Sequence, residues 1–71
     1  MRIKTNIKLF DEVGQEIREG DVVTIYTKGN TYYKVKVNSV NADNIAVWIG
    51  NKHIRKVEYI DIVKIYKILF I

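Results

Sequence analysis

The chain of 71 residues has no cysteine, no proline, one histidine, one serine and one tryptophan, and only four alanines and leucines together. Each shortage excludes something. Without cysteine there are no disulfides and no thiolate metal ligands, so a chain this short must fold on its hydrophobic core or by self-association, and a reducing cytosol is the expected compartment. One histidine, His53, leaves no spacing for a metal site unless carboxylates gather around it, so no cofactor or metal is expected. Nucleophilic catalysis needs a base placed against a nucleophile, and His53 and Ser39 alone do not supply the usual constellations. The chain is therefore expected not to be an enzyme. Its longest apolar run is Ile68 to Ile71, against the roughly 20 residues of a membrane-spanning helix, and neither a span nor a secretory leader is expected.

What is abundant is β-branched and aromatic. Ile (12), Val (9), Tyr (5) and Thr (4) make 30 of the residues, whereas the strong helix formers Ala and Leu are scarce, an inventory suited to half-buried pleated surfaces. The order of residues agrees. Ile3, Thr5, Ile7 and Leu9 alternate with Arg2, Lys4, Asn6 and Lys8, which reads as one strand with a basic face. Val22 to Lys28 reads as a second strand, turning at Gly29-Asn30, a pair able to take the positive φ of tight hairpins. On the return limb Tyr33, Val35 and Val37 are expected inward, and Tyr32, Lys34 and Lys36 outward. After an Asn41 to Asn44 turn, Ile45, Val47 and Ile49 share one face, with Ala46 and Trp48 opposite, before a Gly50-Asn51 turn.

The C-terminal segment is ambiguous, because Glu58, Asp61, Lys64 and Lys67 recur at every third position, between the strand and helix periods. Its β-branched content favours a strand near Ile54 to Ile60, a turn around Asp61 and a last strand from Val63; the alternative is a short C-terminal amphipathic helix. Strands about every ten residues predict one all-β domain over residues 1–71, a small barrel of five or six antiparallel strands.

Charge is unevenly placed. Residues 11–21 hold five acids (Asp11, Glu12, Glu16, Glu19, Asp21) and only Arg18 in return, a balance of −4, while the other residues set eleven cations against three acids, a balance of +8. Glu16, Glu19 and Asp21 are expected to be solvated surface acids. Tyr32, Lys34, Lys36, Trp48, Lys52, Arg55 and Lys56 interleave aromatics with cations on neighbouring strands, the pairing by which small barrels hold RNA or DNA, with cations on phosphates and rings on bases. The competing reading makes the lysines a solubilising face and the rings packing residues. A protein-interaction or assembly role, using a sheet edge or the apolar Ile68, Leu69, Phe70 and Ile71 for self-association or a protein partner, is the alternative function.

Asp11, Gly14, Glu16, Ile17, Glu19, Gly20, Asp21 and Val23 form the run Asp-x-x-Gly-x-Glu-Ile-x-Glu-Gly-Asp-x-Val. It resembles the core of the YopX family of small phage and prophage proteins. That resemblance implies a β-barrel-like domain from a phage or mobile element, in a family with no assigned chemistry. Residues 22–65 also resemble the SH3-like and Sm-like small barrels in strand rhythm. They lack the glycines that Sm-like RNA binders place in the second strand and after the basic residue of their second motif: Lys34 or Val35 and Lys56 stand there instead.

Overall fold

The computed structural model describes residues 2–3 and 7–68, with side chains from residue 7 onward. The described residues form eight strands: β1 (Arg2–Ile3), β2 (Leu9–Phe10), β3 (Glu16–Ile17), β4 (Val22–Thr27), β5 (Thr31–Val40), β6 (Asn44–Ile49), β7 (His53–Glu58) and β8 (Ile62–Ile68), with a 3-10 turn over Tyr59–Asp61. Five form an antiparallel sheet in the order β7-β6-β5-β4-β8, so β4 to β7 make a meander and β8 returns beside β4. The three two-residue strands make a small separate sheet, β1-β2-β3.

The mostly β expectation holds, with the C-terminal segment extended through Ile68; no helix forms beyond the 3-10 turn among the described residues. That turn stands where the break near Asp61 was expected. The N-terminal expectation needs correction. Arg2 pairs with Phe10 and Ile3 with Leu9, so the chain reverses between β1 and β2 instead of running as one strand. Ile7 has φ +56° and is exposed on that reversal, a conformation that β-branched residues rarely adopt. Thr5, with Lys4 and Asn6, lies outside the described residues, as do Leu69, Phe70 and Ile71.

One core lies between the two sheets. Leu9 and Ile17 face it from the small sheet, Val23, Ile25, Val37, Ile45, Val47, Val57 and Ile65 from the large one, and Tyr59 from the 3-10 turn. Tyr59 brings a polar atom into that core, and its hydroxyl donates to the Asn41 carbonyl at 2.7 Å. Within the large sheet β5 carries two irregularities. Against β4 the register steps from Val23↔Val35 to Ile25↔Tyr32, and against β6 from Val37↔Val47 to Ser39↔Ala46. Each inserts an extra residue in β5, which bends the strand and increases its twist.

The segment from Asp11 to Asp21 joins the two sheets. The Asp11 carboxylate accepts from the backbone N–H groups of Val13, Gln15 and Lys67 and from the Gln15 side-chain amide, at 2.8 to 3.1 Å. The Glu12 N–H donates to the Ile65 carbonyl, and the Ile65 N–H to the Glu12 carboxylate. The free side of β8 is thus closed by a turn rather than by a strand. At the far end of the segment, the Gly20 N–H donates to the Val37 carbonyl and the Val37 N–H to the Asp21 carbonyl. Asp11 is 4% exposed, so this acid is structural, whereas Glu12 and Glu19 are exposed. Asp21 is half-buried and lies 3.3 Å from the Lys67 ammonium, while Glu16 pairs with Arg18 at 2.8 Å.

Candidate nucleic-acid interface

The outer face of the large sheet follows from the pairing register, since directly paired residues share a face. One row across the sheet runs Ile68, Val22, Lys36, Trp48, Ile54. Ala46 and Lys56 stand opposite each other further along β6 and β7, and the pairs Thr24–Tyr66 and Tyr26–Lys64 extend the same face over β4 and β8. Trp48 is half-buried, Ile54 is 48% exposed, and the Tyr26 and Tyr66 rings meet edge to face at 6.3 Å.

The bulge opposite Thr24 decides what β5 adds. Tyr33 and Lys34 occupy the irregularity, with Lys34 at φ +52°, and the Lys34 N–H donates to the Thr24 hydroxyl at 3.1 Å. Both side chains are exposed, Tyr33 at 68%, and the Lys34 ammonium lies 5.3 Å from the Tyr33 ring centroid. The expected assignment of the two tyrosines is therefore reversed. Tyr32 pairs with Ile25 and packs against the core, while Tyr33 faces outward. A strict two-residue alternation misassigns them because the extra residue shifts the phase of everything before it. The expected positive φ at Gly29-Asn30 is also absent. That hairpin turns with the Thr27 N–H and hydroxyl both donating to the Asn30 carbonyl, and the positive φ appears at Lys34 instead.

Of the seven expected site residues, Lys34, Lys36, Trp48 and Lys56 share the outer face. Tyr33, Lys34, Lys36 and Trp48 line one shallow depression there, closed at one end by Gly50 and Asn51. Lys52 is exposed in the β6–β7 turn beside that end. Tyr32 and Arg55 point the other way and meet at the rim of the core, with the guanidinium 6.0 Å from the ring centroid. Tyr33 is the residue that sequence reasoning left out. Its signal was the doublet Tyr32-Tyr33, since adjacent strand residues face opposite sides and one of the two rings must point outward.

Lys34, Lys36, Lys52, Arg55 and Lys56 have no carboxylate within 4.0 Å among the described residues; the ion pairs there are Arg18–Glu16 and Lys67–Asp21. Among the described residues no carboxylate neutralises their charge at that distance. Among the described residues no cluster of three His, Cys, Asp or Glu is arranged to hold a metal ion, and His53 is exposed at the start of β7. No described helix is long and apolar enough to cross a membrane. Ile49, on the same side of β6 as Ile45 and Val47, is 36% exposed at the end of the strand, and Ala46, on the Trp48 side as expected, is nonetheless 2% exposed. Comparison with protein-family models, with curated proteins and with solved structures finds no match to this chain.

Proposed function

We propose that this chain is a non-enzymatic binding module for single-stranded RNA or DNA, using the outer face of its five-stranded sheet. The observation that carries the reading is the grouping of Tyr33, Lys34, Lys36 and Trp48 in one open depression, with its lysines unpaired among the described residues. Cations neutralise phosphates while exposed ring faces stack bases, and a shallow sheet surface suits splayed single-stranded bases better than a duplex groove. The bulge adds support. A non-glycine residue at positive φ costs of order 1–3 kcal/mol, and here it turns a tyrosine and a lysine to solvent together. The carboxylates most concentrated in the sequence, residues 11–21, are largely occupied with closing β8 and pairing Arg18 and Lys67, and leave this face basic.

The scaffold reads as a small SH3-like barrel, supported by the antiparallel meander with its two β5 bulges, the 3-10 turn before the last strand and the Asp11 to Asp21 hydrogen bonds that link the sheets. The likeness of residues 11–23 to the YopX family supports a phage or mobile-element origin, and a cytosolic setting suits a cysteine-free chain.

Fluorescence anisotropy with labelled single-stranded RNA, single-stranded DNA and duplex DNA tests the function. The expected result is binding that prefers single strands at near-physiological salt and that Lys34→Glu with Lys36→Glu lowers tenfold or more. Unchanged binding by the double variant removes this face from the site. The protein-partner reading is favoured by one observation: β8 is hydrogen-bonded along its free side, whereas β7 has a strand neighbour on one side only. No nucleic-acid binding at low salt would promote it, and removal of residues 69–71 would separate edge pairing from a role for the apolar end.

A further inference from the structure

A second cleft, of about 340 Å³, opens between the β4–β5 hairpin and β7, at the small end of the range for ligand pockets. Tyr32 and Val57 line it from the core side, Thr27 to Asn30 from the hairpin, and Arg55, Lys56, Glu58 and Asp61 from β7 and the 3-10 turn. One end is fixed by the Lys28 N–H, which donates to the Asp61 carbonyl at 3.1 Å. Arg55 lies over the Tyr32 ring, 6.0 Å from its centroid, at the outer limit of a cation–π contact. Although two acids share the cleft, no ion pair to Arg55 forms among the described residues.

We infer that this cleft is a base clamp. Resting on the single-strand reading above, a strand lying across the outer face crosses the β7 edge and inserts one base between the Tyr32 ring and the Arg55 guanidinium. Two stacking distances of about 3.4 Å, the spacing of successive bases along a strand, require about 6.8 Å between the outer planes. The Arg55 guanidinium carbon lies 6.0 Å from the Tyr32 ring centroid, and the exposed side chain reorients to set the guanidinium parallel to the ring at the stacking distance. The Tyr32 ring and the Arg55 guanidinium offer flat faces to a base, the Glu58 and Asp61 carboxylates in the same lining are acceptors for N–H groups on a base edge, and Lys28 and Lys56 attract the flanking phosphates. Adjacent strand residues face opposite sides, so Arg55 and Lys56 straddle the β7 edge, the lysine toward the outer face and the arginine toward the cleft. One strand wrapping that edge reaches both sets of aromatic residues, which otherwise lie on opposite sides of the sheet.

The test scans a single abasic position through a labelled six-nucleotide RNA or DNA strand, against the unaltered protein, Arg55→Lys and Tyr32→Leu. The lysine keeps the charge without the flat guanidinium, and the leucine keeps apolar bulk against the core without a ring. The expected result is one position where base loss lowers affinity of the unaltered protein by about 5- to 100-fold, a dependence that disappears in both variants while the rest of the profile persists. Binding by the unaltered protein with a profile that Arg55→Lys, an exposed-site change, leaves the same overturns the clamp and leaves the outer-face reading standing. No binding to any strand overturns both.

Discussion

At the scale of single residues, Asp11 is the side chain on which the joining segment depends. Burial raises its carboxyl pKa, but the hydrogen bonds from Lys67, Gln15 and Val13 outweigh that and hold it below its ordinary value of 3.8. The folded protein therefore releases this proton more readily than the unfolded chain. Its contribution to stability is complete above about pH 5 and is lost as pH falls through 3.8 and then through the lower folded-state value. Urea unfolding of Asp11→Asn should show a loss of about 1–3 kcal/mol at neutral pH and a flatter acid limb. An acid limb as steep as that of the unaltered protein would assign the acid sensitivity to other groups. Tyr59 acts at the opposite end of the pH scale. Burial pushes its hydroxyl up to about 12, with the Asp43 carboxylate adding to the effect. The folded state favours the neutral phenol, so this contribution is full below the unfolded value near pH 10 and is lost as pH rises through about 12. In an absorbance titration one tyrosine should ionise near pH 12, and Tyr59→Phe should remove that late step.

At the scale of elements, the two edges of the large sheet are handled differently. β8 is closed by the Asp11–Gly14 turn, which delivers Glu12 and the Asp11 carboxylate to Ile65 and Lys67. Gly14 makes this turn at φ +89°, and a Cβ built there meets nothing within 4 Å, so Gly14→Ala costs backbone conformation rather than a clash. A loss of about 1 kcal/mol is expected. Hydrogen exchange should show the effect locally, with the Ile65 and Lys67 amides losing protection in Gly14→Ala before those of β5 and β6. Uniform loss across the sheet would mean that the turn and the sheet open as one unit.

The hairpins and the last three elements were readable in sequence because period-2 alternation and turn residues agree there: Val22–Thr27, Asn44–Ile49 and His53–Glu58 follow the expected segments closely. The expectation failed where backbone irregularity overrides alternation. The β5 bulge exchanged Tyr32 and Tyr33, and the reversal near Ile7 divided one expected strand into β1 and β2. Neither site carries glycine, the usual sign of a positive φ, so Lys34 and Ile7 gave no warning. For the site, composition placed lysines and rings on the right strands, but the separation of Tyr32 and Arg55 from the outer face depends on that same bulge and on inter-strand register. Neither is visible in one strand's pattern.

At the scale of the whole molecule, charge and shape are arranged so that the acids of residues 11–21 act largely within the fold while the outer face keeps its cations. Lys34, Lys36 and Lys56 share that face with Trp48 and Tyr33, and Lys64 extends it over β8. If three or four of these contact phosphates, the logarithm of single-strand affinity should fall with the logarithm of salt at a slope of roughly −2 to −3. Reversing Lys34 and Lys36 should take more than one from that slope. Replacing Trp48 with Leu should weaken binding by about 1–3 kcal/mol and leave the slope unchanged, because stacking releases no counterions. The most direct test of the outer face as a nucleic-acid site is anisotropy with a labelled single strand across a salt series, comparing the unaltered protein with Lys34→Glu/Lys36→Glu. Binding that prefers single strands over duplex, with a slope that the double variant makes shallower, is the predicted result. Absence of binding at low salt, or a slope and affinity indifferent to both lysines, would contradict it.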